Sequence, residues 1–161
     1  MRIILLLLCL ALAGCGNQGV HGSAIAGGYL YLETSQENNS IVSPLQNGKD
    51  VYGHIVDYKS NGDFIVVCQA PDYYSYKMAI VDKLLGSDKS ANSLSAEALE
   101  KKANNILQSD SSYKKVFLRK VNYWIMDIRN KIEYGPLSKE KYWATRSRLN
   151  IPADILCLKK P

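Results

Sequence analysis

Between two β-rich runs, Tyr52 to Lys59 and Phe64 to Ala70, the chain carries Ser60-Asn61-Gly62-Asp63. Asn-Gly flanked by such runs is the strongest short-range hairpin signal, because a type I′ turn needs positive φ at both central residues. Counting outward from Asn61-Gly62 pairs Lys59 with Phe64, Tyr58 with Ile65 and Val56 with Val67. Val56, Tyr58, Ile65 and Val67 then share one face, the expected core face. Phe64 to Cys68 is apolar on both faces, as befits a strand inside a sheet. Any fold for this chain has to be built around that hairpin.

Further strands are expected at Tyr29 to Thr34, at Ile41 to Leu45 on a sheet edge because Pro44 lacks an N–H, and at Lys77 to Asp82. Asp72-Tyr73-Tyr74-Ser75-Tyr76 reads as a loop, and Tyr73, Tyr74 and Tyr76 as a candidate binding surface, since tyrosines offer stiff amphipathic contact area. The same tyrosines would serve equally as cover for a sheet. After a polar loop at 86–93, Ser95 reads as an N-cap, with Leu99, Ala103, Ile106 and Leu107 as one apolar stripe. Val116 to Leu118, Val121 to Ile128 and Ile132 to Tyr134 are strand-like, and Gly135-Pro136-Leu137 stops the last of them. Ser138 is the expected N-cap of a final helix from Lys139 to Leu149, docked by Tyr142, Trp143, Ala144 and Leu149. The expected class is α+β: a mainly antiparallel sheet with two packed helices in a single small domain.

The amino terminus sets the location. Met1-Arg2 is positive, Ile3 to Ala13 is an apolar core of 11 residues, and Leu12-Ala13-Gly14-Cys15 closes it. A membrane span needs roughly 20 apolar residues, so this segment reads as a cleavable export signal. The pattern resembles the bacterial lipoprotein signal, in which the cysteine is diacylated on sulfur and becomes the new amino terminus. Small Ala13-Gly14 before Cys15 favours it over Cys9, which follows Leu8. Ala11-Leu12-Ala13 is also an ordinary cleavage site that would release a soluble protein. The expected layout is a signal peptide at 1–14, lipidated Cys15 with a Gly-rich flexible tether through residue 28, and one domain over 29–161. Gly16, where some enteric bacteria place a retention aspartate, favours the outer membrane if the cell has two.

Charge is uneven. Residues 16–100 carry 5 Lys/Arg against 10 Asp/Glu, and residues 101–161 carry 14 against 5, which sets the halves near −5 and +9. A basic pole suits an anionic envelope polymer, a lipid headgroup or an acidic protein, and a solvated basic surface is the plain alternative. A nucleic acid partner is not expected outside a membrane. Cys68 and Cys157 leave two readings open, a disulfide in an oxidising compartment or free thiols, of which Cys68 would pack as a small hydrophobe.

The run Tyr123-Trp124-Ile125-Met126-Asp127, the Tyr134-Gly135-Pro136-Leu137-Ser138 corner and the helix ending in Leu149-Asn150-Ile151-Pro152 resemble a family of small bacterial lipoproteins that carry a domain of unknown function. That resemblance implies an exported, lipid-anchored domain and brings no catalytic residue with it.

Catalysis needs converging groups. His21 falls in the tether and His54 at a strand start, no G-x-S-x-G or H-E-x-x-H occurs, and Asp63 beside Asn61-Gly62 suits a turn better than a cleft shared with Asp57 or Asp72. His54 and Asp57 point to opposite faces of a regular strand. No enzyme, cofactor or metal site is expected. The chain reads as a membrane-anchored binding module of the cell envelope, partnered by the bilayer through acylated Cys15 and by an envelope protein or anionic polymer. Two alternatives stand beside it: an immunity protein or inhibitor of a toxin or hydrolase at the membrane, and an envelope hydrolase with a dispersed site.

Overall fold

The computed structural model describes residues 21–34, 38–87 and 89–157. The expected signal peptide, Cys15 and the expected tether through residue 20 lie outside the described residues. Seven antiparallel strands form one sheet in sequence order: β1 (His21–Ala24), β2 (Leu30–Glu33), β3 (Asn39–Val42), β4 (Val51–Ser60), β5 (Phe64–Ala70), β6 (Asn122–Asp127) and β7 (Ile132–Leu137). Four helices accompany them: α1 (Tyr73–Ser87), α2 (Ala96–Ser109), α3 (Ser111–Val116) and α4 (Lys139–Arg148). The class is α+β, as expected, with two more helices than the sequence suggested.

The sheet is strongly curled. In a flat sheet β3 and β7 would stand about 19 Å apart, four strand spacings. Instead Ser43, just past β3, donates its hydroxyl to Glu133 Oε1 of β7 at 2.6 Å. Tyr29 donates to the same oxygen at 2.8 Å, and the Lys49 amide to Oε2 at 2.5 Å. Irregular registers in β4, between Ile55 and Asp57, and in β6, between Tyr123 and Ile125, supply the bends that closing the sheet on itself demands.

Each face buries its own core. Ile55, Ile65, Val67, Trp124 and Met126 face inward with Ile41 and Val51, covered by Tyr76 and Ile80 of α1, Leu99 and Leu107 of α2 and Val116 of α3. On the outer face Val66, Cys68, Tyr123 and Ile125 pack beneath Tyr142 of α4 and the tail residues Ile151, Ile155 and Cys157. β5 and β6 are buried on both sides, which is why their sequences alternate so weakly.

Several expectations are corrected. The β4–β5 hairpin pairs Tyr58 with Val67 and Ser60 with Ile65. The Asn61 amide donates to Phe64 O at 3.0 Å, while Asn61 Oδ1 accepts from the Asp63 and Phe64 amides at 2.9 and 2.8 Å. The turn therefore centres on Gly62-Asp63, one residue later than the type I′ reading. Tyr58, Ile65 and Val67 keep the shared face, but the bulge sends Val56 to the outer one.

Residues 21–28, assigned to the tether, hold β1, which pairs His21 with Glu33 and Ala24 with Leu30. The segment around Ile41 is consequently an interior strand and not an edge. Tyr73 to Asp82, read as loop then strand, is helix α1. Pro71-Asp72 starts it, Asp72 Oδ2 accepting the Ser75 amide at 2.7 Å, and Tyr76, Ile80 and Leu84 fall at helical spacing along its packed side. Val116 to Leu118 is not a strand: Asp110 caps α3 through the Ser112 amide at 2.6 Å, and Val116 ends that helix in the core.

α2 and α4 begin where expected. The side chains of Ser95 and Ser138 accept from Ala98 N and Lys141 N. Trp143 and Ala144 of α4, however, are exposed, and its buried positions are Tyr142 and Arg146. Tyr142 stacks on Tyr123 at 4.8 Å between centroids. Arg146 donates to the carbonyls of Ile155 and of Pro152, the latter at 2.8 Å, and so holds the tail against the sheet.

Candidate functional site

A concavity opens among the described residues where the helices meet the sheet. It is a cavity of about 640 Å³, bounded by the loop before β4, α1, α3 with the residues after it, β6, the end of β7 and the start of α4. That volume falls within the range of small-molecule sites, roughly 300–1,000 Å³.

Its inner wall is apolar: Tyr76, Ile80, Val116 and Trp124, all core residues, line it together with half-buried Tyr52 and Tyr113. The Tyr76 ring meets Tyr52 edge-on at 5.4 Å and Tyr113 at 6.0 Å. Behind these rings a buried amide fixes the wall. Gln69 Oε1 accepts from Trp124 Nε1 at 2.8 Å, and its Nε2 donates to Tyr76 Oη at 2.8 Å and to Tyr52 O at 2.5 Å. Asn122 Nδ2 donates to Val116 O at 2.7 Å, tying α3 to β6. Gly135 lies flat against the indole, where a Cβ would stand 2.2 Å from Trp124 Cε3.

Burial pushes the Tyr76 phenol up to about 12, against a smaller opposing effect of the Gln69 hydrogen bond. Tyr52 is raised, by burial first and then by its hydrogen bond to the Asp50 carboxylate. Tyr113 is raised by burial, with Asp110 and Asp50 adding to it. These phenols are therefore neutral contact and donor groups at physiological pH.

The rim is cationic. Lys49, Lys83, Lys115, Arg119 and Lys141 line it against two carboxylates, Asp50 and Asp110. Both carboxylates are engaged internally: Asp50 accepts from the Tyr52 hydroxyl at 2.6 Å and the Ser43 amide at 2.8 Å, and Asp110 caps α3. Ion pairs among the described residues lie elsewhere, at Lys77–Glu100 and Arg129–Asp63. Arg119 helps to hold Glu140 below the usual carboxylate range, behind the larger effects of Glu140's own amide and the Ser138 hydroxyl.

The candidates named from sequence scatter around this cavity. Of the three tyrosines only Tyr76 reaches it, from the core. Tyr73 is 41 % exposed and leans on Phe117 at 5.4 Å, and Tyr74 is 57 % exposed beside Lys77. Tyr73 and Tyr76, one helical turn apart, both meet Phe117 at 5.4 Å, with Tyr76 buried beneath it, whereas Tyr74 turns aside to Lys77. Cys68 and Cys157 are joined as a disulfide across the outer core, Cα atoms 5.8 Å apart. His21 is exposed on β1, and His54 stands on β4 with Nδ1 buried and unbonded. Asp63 binds Arg129 and Asp72 caps α1. Among the described residues no group of three or more His, Cys, Asp or Glu could hold a metal, and no helix is long and apolar enough to cross a membrane. The rim lysines and the Gln69 network escaped the sequence reading. A glutamine in an all-apolar strand run was the one signal for the latter.

The carboxy-terminal segments Tyr123 to Asp127, Tyr134 to Ser138 and Leu149 to Pro152 thus form β6, the end of β7 with the Ser138 cap, and the exit of α4. Residues 89–159 match a family described as protein of unknown function (DUF3997). The DUF3997 match contains all three segments and the larger part of the cavity lining, from Asp110 to Lys141, whereas Gly48 to Lys83 lie outside it. No curated protein and no solved structure matches the chain.

Proposed function

We propose that this chain is a membrane-tethered, non-catalytic binding module of the bacterial cell envelope. The observation that carries the reading is the cavity, whose walls are fixed by buried hydrogen bonds and whose rim carries cations that make no close ion pair among the described residues. These features support a ligand-binding role, since small-molecule sites are concavities of this size with an apolar lining and a few polar groups. The tether comes from the lipobox Leu12-Ala13-Gly14-Cys15, where acylation of Cys15 supplies the anchor; two or three acyl chains at about 0.8 kcal/mol per buried methylene hold a protein stably. The partners on this reading are the bilayer and an envelope protein or anionic polymer, and Gly16 after Cys15 favours the outer membrane where the cell has two.

The test is crosslinking in living cells with capture of the tagged protein, beside a Cys15→Ala variant. The expected result is one specific partner and a membrane-bound pool, both reduced in the variant. A variant that fractionates like the parent would remove the anchor, and a parent that captures nothing above background would remove the binding role.

A further inference from the structure

We infer that the cavity takes an anionic amphiphile, a phosphate-bearing head on an apolar body. The inference rests on the cavity being a binding site and adds the chemistry of what it holds. Half-buried Tyr52 and Tyr113 and exposed Leu118, in front of the buried Tyr76, Ile80, Val116 and Trp124, offer apolar surface that gains by being covered, because removing apolar area from water is favourable. The rim offers the opposite chemistry. Lys83 comes from α1, Lys115 from α3, Arg119 from the segment after it and Lys141 from α4, and all four line the one cavity.

Like charges gathered on one lining repel, and none of the four makes a close ion pair among the described residues: Asp50 and Asp110 hold a phenol and backbone amides, and Arg119 feels the exposed Glu140 carboxylate without bonding to it. A ligand with a multiply charged head relieves that repulsion. Lysines approached from several sides act as point charges and Arg119 as a planar fork, a combination that fits the oxygens of a phosphate better than the two of one carboxylate. Apolar floor and cationic rim together select a molecule that is both, either a membrane lipid or a soluble phosphate ester.

The full-length chain is titrated, with intrinsic tryptophan fluorescence and calorimetry, against octyl phosphate, octyl glucoside and inorganic phosphate. The expected result is that octyl phosphate binds at least 10-fold more tightly than either of the others, tenfold being a free-energy difference of about 1.4 kcal/mol, and weakens as salt is raised. A Lys83→Gln/Lys115→Gln variant should lose at least 10-fold in octyl phosphate affinity with an unchanged melting temperature, because both side chains are exposed. Full affinity in that variant would overturn the assignment. Octyl glucoside binding as well as octyl phosphate would overturn the charged head and leave the cavity a binding site. Inorganic phosphate binding as well would overturn the apolar body. Binding of none would overturn the cavity itself. With octyl phosphate bound as expected, displacement by phosphatidylglycerol vesicles and not by phosphatidylcholine vesicles assigns the ligand to the membrane, and no displacement by either assigns it to a soluble ester.

Discussion

Gln69 is wholly buried in a strand of apolar side chains, and it bears that position by giving hydrogen bonds to Tyr52 O and Tyr76 Oη and taking one from the Trp124 indole. Unsatisfied, such an amide would cost about 1–3 kcal/mol. Its partner Tyr76 makes the arrangement visible in solution. Burial raises that phenol from 10.0 to about 12, so at high pH the unfolded chain loses the proton first. The contribution is fully present below the unfolded value near 10 and is lost as pH rises through the folded value. Two units at about 1.36 kcal/mol each make the expected loss on the order of 2–3 kcal/mol. Urea denaturation followed by tryptophan fluorescence should therefore show a falling midpoint between pH 10 and pH 12, with a smaller fall in Tyr76→Phe. An equal fall in that variant would place the effect on other groups.

At the scale of elements, the β6–β7 contact decides whether the cavity keeps its back wall. A Cβ at Gly135 would overlap the Trp124 ring, whereas one at Gly62 in the β4–β5 turn would meet nothing within 4 Å. Gly135→Ala should lower stability by about 2 kcal/mol or more, the scale of a forced core displacement, and Gly62→Ala should stay within about 0.5 kcal/mol of the parent. Thermal unfolding of the two variants checks the contrast, and equal melting temperatures would contradict it. The elements also differ in how plainly the sequence announces them. α2 and α4 start at serines whose side chains accept from the amide three residues on, and both were legible. α1 was not, because apolar residues on several sides of it blur the helical period that Tyr76, Ile80 and Leu84 carry. The hairpin was legible in existence and face, but the side-chain carbonyl of Asn61 moved its turn by one residue. Arg146 carried no sequence signal. It is a buried cation because the tail brings the carbonyls of Ile151, Pro152 and Ile155 around its guanidinium, contacts that no local spacing encodes.

For the molecule as a whole, the antiparallel α+β class followed from strand patterning and turn chemistry, but the cavity did not, since its lining runs from Gly48 to Lys141 and meets only when the sheet curls. The charge imbalance between the halves foreshadowed the rim in part: Lys115, Arg119 and Lys141 come from the basic half, Lys49 and Lys83 from the acidic one. What the fold adds is their convergence over an apolar wall. The most direct test of the cavity as the site of binding is photocrosslinking in cells from two exposed positions. Leu118 stands on the rim at 69 % exposure, and Gly62 lies at the far end of β4, about 30 Å along the strand. A photoreactive residue at 118 should yield a specific product that weakens in the Lys83→Gln/Lys115→Gln background, while the same group at 62 yields none of it. The same products from both positions, or none from 118, would contradict the account.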